Sequence, residues 1–189
     1  MPRPRSFNRQ QTLESCLQVF KRQGFKSTSI DDLVSEAKTN RKMIYDAFRD
    51  KENLYLECTR NHYTSESISA DNILAARPLG MHNIRAFWDH KVEQIGEESC
   101  FTTMIINERN ALPDEAVDLA MKSWADFRQL IIKNAEVELS TTKAEELAEA
   151  FINALPALGT NARLHGNDPS YLGAADTILR RNLKEIASI

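Results

Sequence analysis

Cysteine, glycine and proline are scarce in this chain. Its 189 residues include three cysteines, six glycines and six prolines. Cys16, Cys58 and Cys100 are too few and too scattered for a disulfide framework or a zinc site, and their odd number agrees with a reducing compartment. Because turn-forming residues are so sparse, long uninterrupted segments remain between the turns. These segments favour a helical protein.

Long apolar runs and catalytic motifs are also missing. No apolar segment approaches the roughly 18 residues needed to span a bilayer, and the basic N-terminus is not followed by the apolar core of a signal peptide. We therefore expect a cytoplasmic protein with no membrane partner. The sequence has no glycine-rich phosphate loop, no HExxH and no nucleophile elbow, and no glutamate precedes a histidine by three positions, as a di-iron bundle requires. We expect neither an enzyme, nor a cofactor, nor a bound metal.

The N-terminal segment has the apolar spacing of a short helix. Residues at i, i+3, i+4 and i+7 form one apolar face, and they are Leu13, Cys16, Leu17 and Phe20. Gly24 follows, and a glycine can adopt the positive φ with which helices often end. The pattern therefore predicts a first helix that ends at Gly24.

A second and a third helix are predicted after short turns. Thr28 can cap the second helix, with Asp31 completing a capping box, and this helix is expected to run for about three turns. Ile44 and Phe48, spaced i, i+4, form the inward face of the third helix. The outward face of the third helix then consists of Asn40, Arg41, Lys42 and Tyr45. Two short helices joined in this way form a helix-turn-helix, whose second helix can lie in the major groove of DNA.

These residues resemble the N-terminal domain of TetR-family (tetracycline-repressor-like) transcriptional regulators. The matching positions are Gly24-Phe25, Thr28-Ser29, Tyr45, Phe48 and the segment Asp50-Lys51-Glu52-Asn53-Leu54. The motif covers roughly the first third of the chain and is specific, because several features fall in order at compatible spacings. The usual turn Ala-Gly-Val is Ala37-Lys38-Thr39 here, which predicts a slightly strained turn. Asp46-Ala47 also departs from the bulky or imidazole side chains that often follow the tyrosine.

The resemblance implies an all-α fold of about nine helices. A three-helix domain with the helix-turn-helix would occupy residues 1–50, and a helical bundle for effector binding and dimerisation would occupy residues 51–189. We expect a long fourth helix over about 51–75 and another helix over about 114–139. The implied function is a dimeric DNA-binding repressor that a small-molecule effector releases from a palindromic operator. The alternative is a helical ligand-binding or interaction protein whose N-terminal domain is degenerate and does not bind DNA.

Charge and matched positions suggest which residues contact DNA. The first 60 residues contain 12 lysines and arginines against 8 acidic residues, whereas the remainder contains 12 against 19. The basic part thus coincides with the predicted DNA-binding domain. The expected contacts are Asn40, Arg41 and Lys42 to base edges, and Thr28, Ser29 and Lys51 to the phosphate backbone. Tyr45 is expected either to bind phosphate or to pack on a thymine methyl group. Arg3, Arg5 and Arg9 form either a basic arm that follows phosphates or a frayed terminus.

The aromatic residues of the second domain permit two interpretations. They either line an apolar cavity for an effector or form ordinary core. The candidate ligand-binding residues are Phe87, Trp88, Lys91, Cys100, Met104, Trp124 and Phe127. Cys100 is either a reactive thiol at a helix N-terminus or a buried inert one.

Two C-terminal helical segments carry apolar faces and are joined by a turn at 166–169. The candidate dimer residues on these faces are Phe151, Leu155, Leu158, Leu172, Ala175, Leu179 and Ile186. Such an antiparallel pair either docks on its two-fold mate as a four-helix bundle or completes the core of the protomer. TetR-like proteins pair through their last two long helices, so the resemblance favours a homodimer. Two third helices held roughly 34 Å apart would then contact both halves of an inverted repeat.

Overall fold

The structure is a computed structural model that describes residues 7–94, 101–165 and 177. Within these ranges the secondary structure is entirely helical, which confirms the predicted all-α fold. The helices are α1 (Arg9–Gln23), α2 (Ile30–Glu36), α3 (Arg41–Phe48), α4 (Lys51–Leu74), α5 (Met81–Gln94), α6 (Phe101–Glu108), α7 (Asp114–Ala135) and α8 (Thr141–His165). A single 3-10 turn, Arg109–Ala111, separates α6 from α7. No helix in the described ranges is long and apolar enough to cross a membrane.

The chain divides into two compact units. The first unit comprises residues 1–64 and 104–120, and the second comprises residues 65–103 and 121–189. The chain therefore passes between the units within α4, within α6 and within α7. The functional boundary after residue 50 stays a prediction.

The first helix is built as its spacing predicts. The side chain of Asn8 accepts a hydrogen bond from the backbone N–H of Gln11 at the N-terminus, and Gly24 ends the helix with φ 80°. The four residues of the predicted apolar face, Leu13, Cys16, Leu17 and Phe20, are all buried. The rings of Phe20, Phe25 and Tyr55 pack against one another in this core, with centroids 4.9–6.3 Å apart.

The predicted cap of the second helix is wrong by one residue. Ser29, and not Thr28, is the N-cap: its side chain accepts from the N–H of Asp32, and the Asp32 carboxylate accepts from the N–H of Ser29. The capping box therefore uses Asp32 instead of Asp31. The Thr28 hydroxyl is buried and donates to the carbonyl of Gly24 at 2.6 Å, which holds the preceding loop. The helix is also shorter than expected, with seven residues.

The third helix has the predicted inward face. Ile44 and Phe48 are completely buried. Its N-cap is Asn40, whose side-chain oxygen accepts from the N–H of Met43 at 2.9 Å.

Buried thiols belong to the core of the first unit. Burial raises the pKa of Cys16 to about 12 and raises that of Cys58 as well. The Cys58 thiol donates to the carbonyl of Leu13 at 3.5 Å. Both thiols are therefore protonated and unreactive at neutral pH.

The second unit has its own apolar core, formed by the end of α4 and by α5, α7 and α8. The Trp88 and Phe151 rings meet edge to face with centroids 5.3 Å apart, and Phe127 packs on Phe87 at 5.1 Å. The fourth helix ends at Leu74, close to its predicted end, whereas α7 ends at Ala135, four residues before its predicted end.

A buried amide organises the loop after α4. Asn134 is fully buried, and its amide nitrogen donates to the carbonyls of Leu74 and Leu130 at 2.7 and 2.9 Å. Its oxygen accepts from the N–H of Gly80 and from the side-chain amide of Asn83. Every hydrogen-bonding position of this amide is thus used, as a buried polar group requires.

Candidate nucleic-acid interface

The N-terminal half of α3 brings together four of the residues predicted to contact DNA. Asn40, Arg41 and Lys42 are exposed at the start of the helix, and Tyr45, one turn later, is 45% exposed. Because Ile44 and Phe48 fix the opposite face in the core, this surface has one orientation in its unit. It presents hydrogen-bond donors of the kinds that bind base edges and phosphates.

Arg41 is held by a carboxylate from the preceding helix. Its Nε donates to Oδ1 of Asp31 at 2.7 Å, and its Nη2 donates to Oδ2 of the same carboxylate. This hydrogen bonding lowers the pKa of Asp31 and raises that of Arg41. The sequence analysis placed Asp31 in a capping box and did not predict its pairing with Arg41. The only local indication of this ion pair was that an acidic residue and an arginine lie in the first turns of successive helices.

Lys51 is engaged inside its own unit. Its Nζ donates to the carbonyls of Phe25 and Thr28 at 2.9 Å each and lies 4.3 Å from the centroid of the Phe25 ring. Thr28 is likewise committed, since its hydroxyl is buried against Gly24. Both residues were predicted to contact phosphate, but their polar side-chain atoms hold the loop between α1 and α2. The structure favours a supporting role for them.

Ser29 lies between these two cases. It is exposed, but its hydroxyl donates to the Asp32 carboxylate at 2.6 Å and accepts from the Asp32 N–H at 3.2 Å. A phosphate contact by this hydroxyl would have to replace the bond to Asp32.

Exposed cations flank α3 on both sides. Lys38 precedes the helix with φ 51° and Arg49 follows it with φ 69°. Residues other than glycine rarely adopt a positive φ. The strain predicted at Lys38 is thus present. In the part of the chain that the structure describes, Lys38, Lys42 and Arg49 form no ion pair, which leaves their charges available to an anionic partner.

Glu108, at the end of α6, fixes the loop that precedes α2. Its carboxylate accepts from the N–H of Phe25 at 2.5 Å and from the N–H of Lys26 at 3.1 Å. A Cβ on Gly24 would lie 2.8 and 2.9 Å from the two carboxylate oxygens, so the glycine provides both the positive φ and the space. Sequence reasoning missed Glu108 because about 80 residues separate it from its partners.

The predicted effector residues are divided between the two units. Phe87 and Trp88 are buried in the core of the second unit, Phe127 packs against them, and the Lys91 Nζ lies 5.4 Å from the Phe87 centroid. These contacts support the core interpretation for them. Trp124 is partly buried on α7, Met104 lies in the first unit, and Cys100 is outside the described residues.

Two of the predicted dimer residues are used within the protomer. Phe151 and Leu158 are 0% and 1% exposed before any partner is present, so their side chains complete the core of the second unit. Leu155 is partly buried against the same core. The remaining candidates lie outside the described residues, and they are Leu172, Ala175, Leu179 and Ile186.

The sequence and the fold both have known relatives. Residues 13–58 match the family described as bacterial regulatory proteins, tetR family. A TetR transcriptional regulator from Legionella pneumophila superposes with a TM-score of 0.82 at 17% identity, over 95% of this chain and 98% of that one. A TetR-family regulator from Agrobacterium tumefaciens gives a TM-score of 0.80 at 18% identity, over 91% and 95%.

A third similar structure is a DNA complex. A cysteine-substituted form of the TetR-family regulator CifR, complexed with operator DNA of 26 base pairs, gives a TM-score of 0.76 at 22% identity, over 94% of this chain and 98% of that one. No curated protein matches the sequence significantly. At these identities the structural matches support the fold.

Proposed function

We propose that the chain is a dimeric transcriptional repressor of the tetR family of bacterial regulatory proteins, whose model matches residues 13–58, and that a small-molecule effector releases it from a palindromic operator. One observation carries the DNA-binding part of this proposal. The exposed face of α3 concentrates Asn40, Arg41, Lys42 and Tyr45 over a completely buried inner face. In a helix-turn-helix, the start of the second helix is the part that contacts base edges in the major groove.

The side chains divide into two roles. Arg41 or Lys42 would donate to guanine O6 and N7, and Asn40 would contact a neighbouring base or the backbone. Tyr45 would bind phosphate or pack on a thymine methyl group. Lys38 and Arg49, which form no ion pair with any residue that the structure describes, support binding to phosphates on both sides of α3. Thr28 and Lys51 hold the loop that positions this helix.

The small DNA-contacting surface of one α3 favours a dimer. One α3 of eight residues can contact only a few base pairs, and two copies on an inverted repeat multiply the selectivity. The 26-base-pair operator bound by CifR is long enough for two half-sites one helical turn apart, which supports the same arrangement here. We assign the interface to Leu155 and to the C-terminal residues Leu172, Ala175, Leu179 and Ile186.

A small-molecule effector would release the protein from DNA by binding within residues 51–189. Phe87, Trp88 and Phe127 fill the core of the second unit, so a ligand near them would have to displace packed side chains.

Selection of binding sites from a random oligonucleotide pool tests the DNA-binding part directly. We expect an enriched inverted repeat, protection of both half-sites in a footprint, and an affinity that falls steeply with added salt as counterions are released. A sedimentation experiment on the complex would give two protomers per duplex.

A degenerate N-terminal domain is the competing function. Asp46 is exposed next to Tyr45 on α3 and would repel phosphate unless it accepts from a cytosine amino group. If no duplex were enriched and none were bound even at low ionic strength, the chain would be a helical ligand-binding or interaction protein instead.

A further inference from the structure

The contact between Asp31 and Arg41 joins the two helices of the helix-turn-helix on their exposed side. Asp31 lies in the first turn of α2 and Arg41 opens α3, and their side chains are 66% and 62% exposed. An exposed ion pair of this kind contributes only about 0–1 kcal/mol to stability. A role in stability alone therefore gives little reason for an acidic residue on a surface that faces DNA.

The geometry of the pair leaves part of Arg41 free. A guanidinium group has five N–H donors in a rigid planar fork. Asp31 takes one from Nε and one from Nη2, which together form the side edge of the fork. Among the described residues, the end edge, formed by Nη1 and the second N–H of Nη2, remains available. Two parallel donors of this kind match guanine O6 and N7.

We propose that Asp31 is a positioning residue that determines sequence specificity by holding Arg41 for a guanine contact. The inference rests on the proposed DNA-binding function and deepens it. Asp31 fixes both donors of the side edge and so restricts the Arg41 side chain before DNA binds. Without Asp31, Arg41 would lose about 2 kcal/mol of rotamer entropy when it binds DNA.

The same carboxylate disfavours binding to other sequences. Its negative charge neutralises Arg41 for a loose phosphate contact, which weakens non-specific binding. Only a site that offers a guanine to the end edge of the fork would gain the full contact. Asp31 therefore changes the ratio of specific to non-specific DNA affinity more than it changes either affinity alone.

The test compares Asp31→Asn with a matched control in the same domain. Glu36 also lies on α2 and pairs with an arginine, Arg22, but that arginine belongs to α1. Glu36→Gln therefore removes one negative charge and one exposed ion pair without touching α3. The measurement is the dissociation constant for the selected operator duplex and for a scrambled duplex of equal length, at several salt concentrations.

We expect Asp31→Asn to lower the ratio of operator to scrambled affinity about five- to tenfold, the scale of one weakened bidentate base contact. Binding to the scrambled duplex should tighten, with a salt slope steeper by about 0.9 because Arg41 becomes free for a phosphate. Glu36→Gln should leave the ratio within about twofold of the wild type, because a general charge effect acts on both duplexes. Asp31→Glu, which keeps the carboxylate, should retain most of the selectivity.

A double-mutant cycle separates positioning from a structural effect. In an Arg41→Ala background, Asp31→Asn should no longer change the ratio, since Asp31 acts through Arg41 alone. Thermal unfolding of each variant shows whether the domain stays folded. An unchanged ratio in Asp31→Asn, or an equal fall of the ratio in the Arg41→Ala background, would overturn the inference while leaving the proposed function intact. A wild-type protein that prefers no duplex would overturn both.

Discussion

At the scale of single residues, the structure separates cations that support the fold from cations that are free to bind. Lys51 was expected to touch DNA, yet it donates to two backbone carbonyls. Arg41 pairs with Asp31 through Nε and Nη2, and this contact positions the side chain for the proposed DNA contact. Lys38 and Arg49, which motif matching did not single out as contacts, are exposed and unpaired in the described part of the chain. A motif identifies a position, whereas the partner of its side chain depends on the folded loop around it.

Lys51→Met should reduce both stability and DNA binding. Loss of the hydrogen bonds to Phe25 and Thr28 leaves two carbonyls without this donor, so we expect the free energy of unfolding to fall by about 1–3 kcal/mol in chemical denaturation. The salt slope of DNA binding should stay unchanged. A slope reduced by about 0.9 would instead identify Lys51 as a phosphate contact.

Lys42→Met is the matched control. Lys42 is exposed on α3 and carries no ion pair among the described residues, so its loss should leave stability within about 0.5 kcal/mol of the wild type. Operator binding should weaken because Lys42 is proposed to contact a base edge, whereas Lys51→Met should weaken binding by destabilising the loop before α2.

Lys38→Gly should stabilise the protein. A side chain at φ 51° costs about 1 kcal/mol, and the greater freedom of glycine in the unfolded chain offsets part of this gain, so we expect a net increase of about 0.5 kcal/mol in the free energy of unfolding. Lys38→Ala removes the same charge but keeps the strained backbone, and it should not stabilise. If the alanine variant gained as much as the glycine variant, the backbone would not be the cause.

At the scale of helices and their connections, local spacing was a reliable guide and distant contacts were not. The apolar faces of α1 and α3 and the ends of α4 follow from periodicity and from the terminal residues. The choice of Ser29 over Thr28 as cap could not be predicted, because both offer a hydroxyl and the register depends on where the Thr28 side chain is buried. Glu108 was unpredictable for another reason, since nothing local marks a carboxylate that binds backbone amides of a distant loop.

Asn134→Asp tests the connection between α4 and α5. Aspartate has the same shape but cannot donate to the carbonyls of Leu74 and Leu130, and it would place a carboxyl group in a fully buried site. We expect the free energy of unfolding to fall by about 3 kcal/mol, measured by chemical denaturation. Asn153→Asp changes an exposed amide that also donates to a helix carbonyl, and its effect should remain below about 1 kcal/mol.

At the scale of the whole molecule, the all-helical class and the tetR-like character of residues 13–58 followed from the sequence, whereas the use of individual apolar faces did not. Phe151 and Leu158 have the spacing of an interface, but periodicity identifies a buried face without saying what covers it, and here the protomer itself does. The aromatic residues around Phe87 gave the same ambiguity, and their mutual packing supports the core interpretation.

The carboxylate of Glu108 has a practical consequence for exchanging operator preference between relatives. A fragment that ends at residue 64 would carry α1, α2 and α3 but not residues 104–120, which belong to the same unit. Its Phe25 and Lys26 amides would then face solvent, and the loop before α2 would lose its anchor. A chimera meant to transfer DNA selectivity therefore has to transplant two separate stretches of gene, because a single junction would divide one folded body.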